Sequence, residues 1–308
     1  MPTGIIVVGS PTPNATAATT PTTDTTRNTD AGNDSNGKVL PRFPWGNATG
    51  AIVSMFSNAQ MWSNWMFEVG DANETTLFFE KGGFQGGRGC GNRKGDMRGC
   101  GYQFYVENVV EELDVPNEWF FNETTRMMYY HLPNTSSIAD LGALTFEATN
   151  LKHLIRIVGN QSNPVMNVSL RGVGLKDTAY TYMDPHEMVS GGDWSLARSG
   201  AVFVEGAVGV TIEGCNFTRL DSNAVTVSGY ARNVSIIGNS FTWIGGNTIA
   251  LMGKTTMPDP DPRLQGIFGW DGRDGNQPRF TTVAGNIAYN LGIWEKQSSF
   301  FFQVCIDR

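Results

Sequence analysis

Charge is scarce in this chain of 308 residues: 17% of its side chains are Asp, Glu, Lys or Arg, and only three are His. Basic charge is the scarcer kind, with 22 Lys and Arg against 29 Asp and Glu and a net charge of -7. Without a basic face to hold phosphates, neither nucleic acid nor an anionic membrane is expected as the main partner. The same balance repels a polyanionic substrate unless a cation or a local basic patch intervenes. Long apolar runs are missing too: nothing approaches the roughly 20 residues of a spanning helix. The N-terminal run Gly4-Ile5-Ile6-Val7-Val8-Gly9 has no basic segment before it and is too short for the core of an export leader. Cysteine is limited to four residues. Cys90 and Cys100 share a Gly-rich loop, where a local disulfide is expected in an oxidising compartment. A zinc site is the alternative, but no second Cys or His pair stands at ligand spacing. Cys215 reads as a buried packing residue. No phosphate-binding loop, dinucleotide fingerprint or nucleophile elbow occurs, so no cofactor is expected.

What the chain has in excess is Gly, 37 residues of it, together with Asn, Thr and Ser. Asn-x-Ser/Thr sequons start at Asn14, Asn33, Asn47, Asn73, Asn122, Asn134, Asn160, Asn167, Asn216 and Asn233. Ordinary composition would give about four, so the surplus points to a secreted or cell-surface glycoprotein. Phe300 to Cys305 reads as a strand with nothing after it to cap it, which makes the chain look like part of a longer one whose leader lies elsewhere.

Residues 1–38 are low-complexity Thr, Pro, Asn and Asp sequence that cannot bury enough surface to order itself. Residues 39–143 read as a β-rich module. It has strands at Trp62 to Val69 and Thr75 to Glu80, a short helix at Val106 to Leu113, and a hairpin joining Glu118–Phe121 to Met127–Tyr130. Residues 144–308 repeat. Val210-Thr211-Ile212-Glu213-Gly214-Cys215-Asn216-Phe217 aligns with Val234-Ser235-Ile236-Ile237-Gly238-Asn239-Ser240-Phe241. Segments around Gly172 and Gly285 follow the same pattern. A second register joins Ala201–Val204, Ala224–Val227 and Thr248–Leu251. Gly214 and Gly238 are 24 residues apart, about one coil of a parallel β-helix; the neighbouring gaps of 42 and 47 are one coil plus a long loop. Val202, Val225 and Ile249 should stack inside, as should Val204, Val227 and Leu251. Phe217 and Phe241 should form an aromatic step, and Asn223 and Asn247 an internal amide ladder.

These repeats resemble right-handed parallel β-helix proteins of the pectin-lyase-like superfamily. The stretch Tyr105–Val109, Leu113–Trp119 and Met128–Tyr130 is similar to a segment that introduces a β-rich module in large members, several of which are glycoside hydrolases. Asn117 and Thr124-Thr125 depart from the usual Gly before Glu-Trp and Thr-Gly in the turn. Asn276–Arg279 and Gly292–Ser299 are similar to β-helix proteins of unicellular algae and protists. The resemblance spans about residues 45–303. It implies an all-β fold, a right-handed parallel β-helix preceded by a smaller β-rich module, and a polysaccharide or other glycan partner, but it fixes no activity.

Both long loops, Lys176 to Gly200 and Gly253 to Arg279, border the same sheet. Its outward residues Ala201, Phe203, Glu205, Thr226, Ser228, Thr248 and Ala250 are expected to floor a saccharide groove. Glycoside hydrolysis needs two carboxyl groups roughly 5–9.5 Å apart. Asp193, Asp274 and Glu295 are the expected catalytic residues, with Asp221 and Asp271 as further acids near the rims. Trp194, Trp270, Thr226 and Lys296 are the expected substrate-binding residues, while Trp243 and Trp294 read as core. His186 is the one histidine in a groove loop. A lyase would draw its base from Lys296 or Arg279, which the acidic balance disfavours. The alternative to a hydrolase is a non-catalytic carbohydrate-binding or structural surface glycoprotein.

Overall fold

The structure is a computed structural model, and it describes residues 5–8, 43, 45–57, 64–74, 76–85, 100–133, 144–188, 195–254 and 274–304. The chain divides into two compact units: residues 1–55, 66–82 and 103–147 in one, residues 56–65, 83–102 and 148–308 in the other. Nearly every regular element is a strand. Among the described residues no helix is long and apolar enough to cross a membrane.

In the first unit, Asn64–Asn73, which begins in the other unit, pairs antiparallel with Thr76–Gly82, and Trp119–Asn122 pairs antiparallel with Met127–His131 across the expected hairpin. The expected helix at Val106 to Leu113 is not there. Cys100–Glu107 is a strand, and only Val110–Glu112 turns, as a single 3-10 turn. The aromatic and β-branched pair Tyr105-Val106 carries the strand, and Glu111 and Glu112 are drawn out to the Gly46 amide and the Trp45 indole. Ile5–Val8, inside the segment expected to stay unordered, forms a parallel strand against Met128–His131. Four consecutive β-branched residues override the polar composition around them.

The second unit is built from three sheets whose pairings are parallel. The first joins, in spatial order, Ile155–Val158, Val202–Val208, Val225–Arg232, Ile249–Met252 and Phe301–Val304. The second joins Ser169–Arg171, Thr211–Glu213, Ser235–Ile237 and Thr282–Ala284. The third joins Gly174–Lys176, Asn216–Leu220, Ser240–Ile244 and Ile287–Leu291. The chain passes through first, second and third sheet in that order four times and then re-enters the first. Each pass lays its backbone donors and acceptors against the pass before, so no interior strand has an unpaired edge.

Register follows the repeat. Ile155, Val202, Val225 and Ile249 stand in one row and Ile157, Val204, Val227 and Leu251 in another. Leu170, Ile212, Ile236 and Val283 form the row of the second sheet. Phe217 and Phe241 are fully buried and stack with ring centroids 4.6 Å apart. Asn247 gives both its backbone N–H and its side-chain amide to Asn223 Oδ1, while its own Oδ1 accepts the Ser299 N–H. A second ladder runs from the Cys215 N–H through Asn239 to Asn286. Buried Cys215 thus fills the place that Asn takes on the next two passes. Cys90 of the expected Cys90–Cys100 pair lies outside the described residues.

Gly172, Gly214, Gly238 and Gly285 stack at the turn between second and third sheet with φ between 61° and 64°. Nothing lies within 4 Å of a Cβ built on Gly238, so what the position demands is the left-handed backbone and not the space. Gly238→Ala should therefore cost only about 1 kcal/mol. Phe241→Ala, which opens a cavity in the central column, should cost about 3–5 kcal/mol. Chemical denaturation of the two variants beside wild type measures the difference.

Candidate functional site

The outward face of the first sheet is not an open groove. Thr226, Ser228, Ala250 and Met252 are fully buried and Phe203 nearly so. The loop expected to form a rim folds over this face instead. Glu187–Met188 pairs with Ser195–Leu196, and Leu196 packs on Ala250 and Met252. Arg198 fixes the cover. Its guanidinium forks onto the Glu187 carboxylate at 2.6 and 2.8 Å and donates to Ser228 Oγ and to the carbonyls of Met252 and Gly253. Ser228 and Lys254 both donate to Glu205. Burial works against the Glu205 carboxylate, but these two donors outweigh it and hold its pKa below the ordinary value. Thr226, expected to touch substrate, gives its hydroxyl to the Ser199 carbonyl at 2.5 Å and reaches no solvent. Small polar residues on an outward face suit a groove floor and a covered face equally well, and here Arg198 supplies the cover.

Chemistry-bearing groups gather at the turn that leaves the third sheet and enters the first. Leu220, Ile244 and Leu291 end the third sheet in register, so Asp221, Gly245 and Gly292 begin three stacked turns. Gly245 has no room for a side chain: a Cβ there would lie 2.7 Å from Trp294 Cδ1 and 2.9 Å from Asp221 backbone. A Cβ on Gly246 would lie 2.8 Å from Asn223 Oδ1 and 3.4 Å from Glu295 Oε2. The glycine pair therefore lets Asp221 close in from one side and Trp294-Glu295 from the other. The backbone N–H groups of Trp294 and Glu295 both donate to the Gly245 carbonyl. The Trp294 indole N–H reaches back to Asp221 Oδ1 at 2.9 Å. Burial raises the Asp221 pKa above its usual 3.8.

Glu295 is 8% exposed and its Oε1 accepts from His186 Nε2 at 2.9 Å. The other ring nitrogen, Nδ1, donates to the Asp184 carbonyl at 2.7 Å. Both neighbours are acceptors, so the doubly protonated ring satisfies both contacts. Burial disfavours that charge, but the Glu295 carboxylate and the Asp184 carbonyl outweigh it, and the His186 pKa is raised above 6.5. Phe84 lies parallel to the imidazole with centroids 6.2 Å apart. Beside Glu295 is a polar cleft lined by Asn64, Gln85, Asn247, Lys296, Gln297 and Ser298, with room for about one water molecule. Tyr180 and Tyr182 stack at 4.5 Å, and Tyr182 continues to Trp294 at 6.5 Å, which makes an aromatic wall beside the two carboxyl groups.

The expected site residues thus separate. Glu295 lies at this turn. Lys296 lines the cleft, but its ammonium is occupied by the carbonyls of Gly292 and Ile293, and burial lowers its pKa. Asp274 belongs to a different turn, after the first sheet, where its Oδ1 accepts the Asn276 N–H as an exposed turn cap. Asp193, Trp194, Trp270 and Asp271 lie outside the described residues. Trp243, expected in the core, is 53% exposed, and Trp294 is half-buried against Asp221. The alternation that puts Phe241 inside breaks at Trp243, whose φ of 57° turns its side chain outward. His186 and Tyr182, on a loop more than 100 residues before Glu295, are the members that sequence spacing does not connect to the acids.

No family model matches the sequence, and no curated protein is similar to it. A solved structure named glycoside hydrolase superposes with a TM-score of 0.57 over 85% of this chain, at 16% identity. The match covers 47% of that protein, so this chain spans about half its length. At that identity the likeness is one of fold alone.

The His186–Glu295 contact sets a pH dependence of stability. The folded-state pKa of His186 is raised, so its contribution is complete below about pH 6.5 and is lost as pH rises through the folded value. Wild type should be more stable than Glu295→Gln at low pH, and the two thermal midpoints should converge as the buffer is made more alkaline. Midpoints that stay the same distance apart would mean that the pair is not charged.

Proposed function

We propose that the second unit is a right-handed parallel β-helix of the pectin-lyase-like kind, and that the chain is a secreted, carbohydrate-active protein. In this reading it hydrolyses a neutral polysaccharide at the turn formed by Asp221, Gly245-Gly246 and Trp294-Glu295. One observation carries the reading: two carboxyl groups of different environment face one glycine turn beside an aromatic wall. Asp221, whose pKa burial raises, is the general acid that protonates the departing glycosidic oxygen. Glu295, beside His186 and the water-sized cleft, takes a proton from the attacking water. Asp221 and Glu295 lie on turns two strand spacings apart, about 10 Å along the stack before their side chains lean inward. That separation suits direct displacement by water with inversion, for which the carboxyl groups stand roughly 6.5–9.5 Å apart, better than a covalent intermediate. Tyr180, Tyr182 and Trp294 offer the faces on which sugar rings stack. Lys296 holds the Gly292–Glu295 loop in place. The solved glycoside hydrolase of similar fold supports the substrate class, and the net charge of -7 favours a neutral chain over a uronate.

A second reading, a non-catalytic glycan-binding surface glycoprotein, is favoured by one feature: both carboxyl groups are already hydrogen-bonded within the chain, Asp221 to Trp294 and Glu295 to His186. Incubation with a panel of neutral and uronate polysaccharides, reading both reducing-end release and retention on the insoluble polymer, separates the two. Cleavage of a neutral polymer that falls about 100- to 10,000-fold in Asp221→Asn and in Glu295→Gln, with retention unchanged, supports hydrolysis. Retention without cleavage supports the binding reading, and full activity in both variants removes these residues from the chemistry.

A further inference from the structure

The turn between the first and second sheets carries its own row of residues in the left-handed region. Asn167, Gly209, Asn233 and Phe280 follow the register-matched residues Met166, Val208, Arg232 and Arg279, and all four have positive φ, from 52° to 71°. Asn and Gly adopt this conformation readily, whereas a Phe does so at a cost. Asn167-Val168-Ser169 and Asn233-Val234-Ser235 are both sequons, and both Asn side chains are exposed. Gly209 stands between them, which sets them two strand spacings, about 10 Å, apart on one edge. Asn167 Oδ1 rests over Gly209, 2.7 Å from where a Cβ would be. Phe280, next to Asn233 in the row, is 67% exposed, the most exposed large apolar side chain among the described residues. A bulky residue held in an unfavourable backbone conformation with its ring in water has no account in the packing of the coils.

We propose that Asn167 and Asn233 are N-glycan acceptors displayed along this one edge, and that Phe280 is the apolar shelf under the first sugar on Asn233. The transfer joins the Asn side-chain nitrogen to the anomeric carbon of an oligosaccharide carried on a lipid pyrophosphate. The bond from that carbon to the pyrophosphate oxygen breaks, the lipid pyrophosphate leaves, and the amide gives up one proton. The intervening glycine leaves both glycans room that acceptors on adjacent passes, one strand spacing apart, would lack. The apolar face of a pyranose ring covers the Phe280 ring and removes it from water. The carboxylates occupy the turn at the other end of the first sheet, so this edge leaves them uncovered. The inference depends on passage through a glycosylating compartment and not on hydrolysis.

The full chain is expressed behind a cleavable secretion leader in a eukaryotic cell and recovered from the medium. Peptide N-glycosidase treatment in heavy-oxygen water then labels each asparagine that carried a glycan. Label at both Asn167 and Asn233 is expected, and Ser169→Ala and Ser235→Ala should each remove one glycan while leaving the left-handed Asn in place. Secreted protein with no label at either position overturns the assignment. For the shelf, Ser235→Ala should lower the melting temperature of the wild-type background by roughly 2–4 °C and leave that of a Phe280→Gly background, which keeps the left-handed backbone and adds no sequon, unchanged. An equal drop in both backgrounds overturns the role of Phe280.

Discussion

Everything in the second unit depends on parallel backbone pairing between one pass of the chain and the next. A three- to five-residue strand cannot hold itself together, and its apolar residues cannot be buried by the pass that contains them. Once a second pass docks in register, each strand gains a partner and each inward side chain lands on one of its own kind. Val202 meets Val225, Phe217 meets Phe241, and Asn223 meets Asn247. Ladders of this kind resist slippage, since a shift of one residue would turn the Val and Ile rows outward and leave the buried amides without acceptors.

The candidate site is a by-product of that register. Asp221 is not beside Glu295 in sequence or in strand pairing. They meet because Leu220, Ile244 and Leu291 end the third sheet together, and because Gly245-Gly246 keeps the middle turn thin enough for its neighbours to close over it. The scaffold supplies position and the loops supply chemistry: His186 and the tyrosines come from the long excursion after Lys176. That excursion has two tasks. Its later part, through Leu196 and Arg198, covers the outer face of the first sheet; its earlier part builds the wall of the site.

The fold was far more legible than the site. Alternation of apolar and polar residues ending in a glycine, repeated at Gly172, Gly214, Gly238 and Gly285, has few physical meanings, and the rows of buried residues follow from it directly. Val106 to Leu113 reads as a helix but forms the end of a strand and a single 3-10 turn, because a run of Val and Glu serves an extended edge as well as a helix. Loops were harder still. Whether a long loop borders a face or lies across it is decided by one side chain, here Arg198, which meets Glu187, Ser228 and two carbonyls that no spacing rule connects. Asp274 illustrates the same limit from the other side: an acid in a loop is by its nature a good turn cap, and that is the use made of it. Glu295 was legible as an acid near the rim, but its imidazole partner was not, since the two are 109 residues apart.

The unequal lengths of the repeats set an order of assembly. Loop-closure entropy grows with the length of chain between two partners, and only the pass from Val202 to Leu220 and the pass from Val225 to Ile244 are joined with no excursion, at the 24-residue spacing. Their contact is the cheapest long-range one the unit can make, and it already contains the Phe217–Phe241 stack and the Cys215–Asn239 rung of the second amide ladder. The passes on either side must close loops of 42 and 47 residues before they dock. Folding of this unit is therefore expected to begin in its middle and to spread outward. A ribosome would have to release the chain past Ile244 before the first two passes could lock, and the carboxylate turn, which needs Glu295, would be completed among the last.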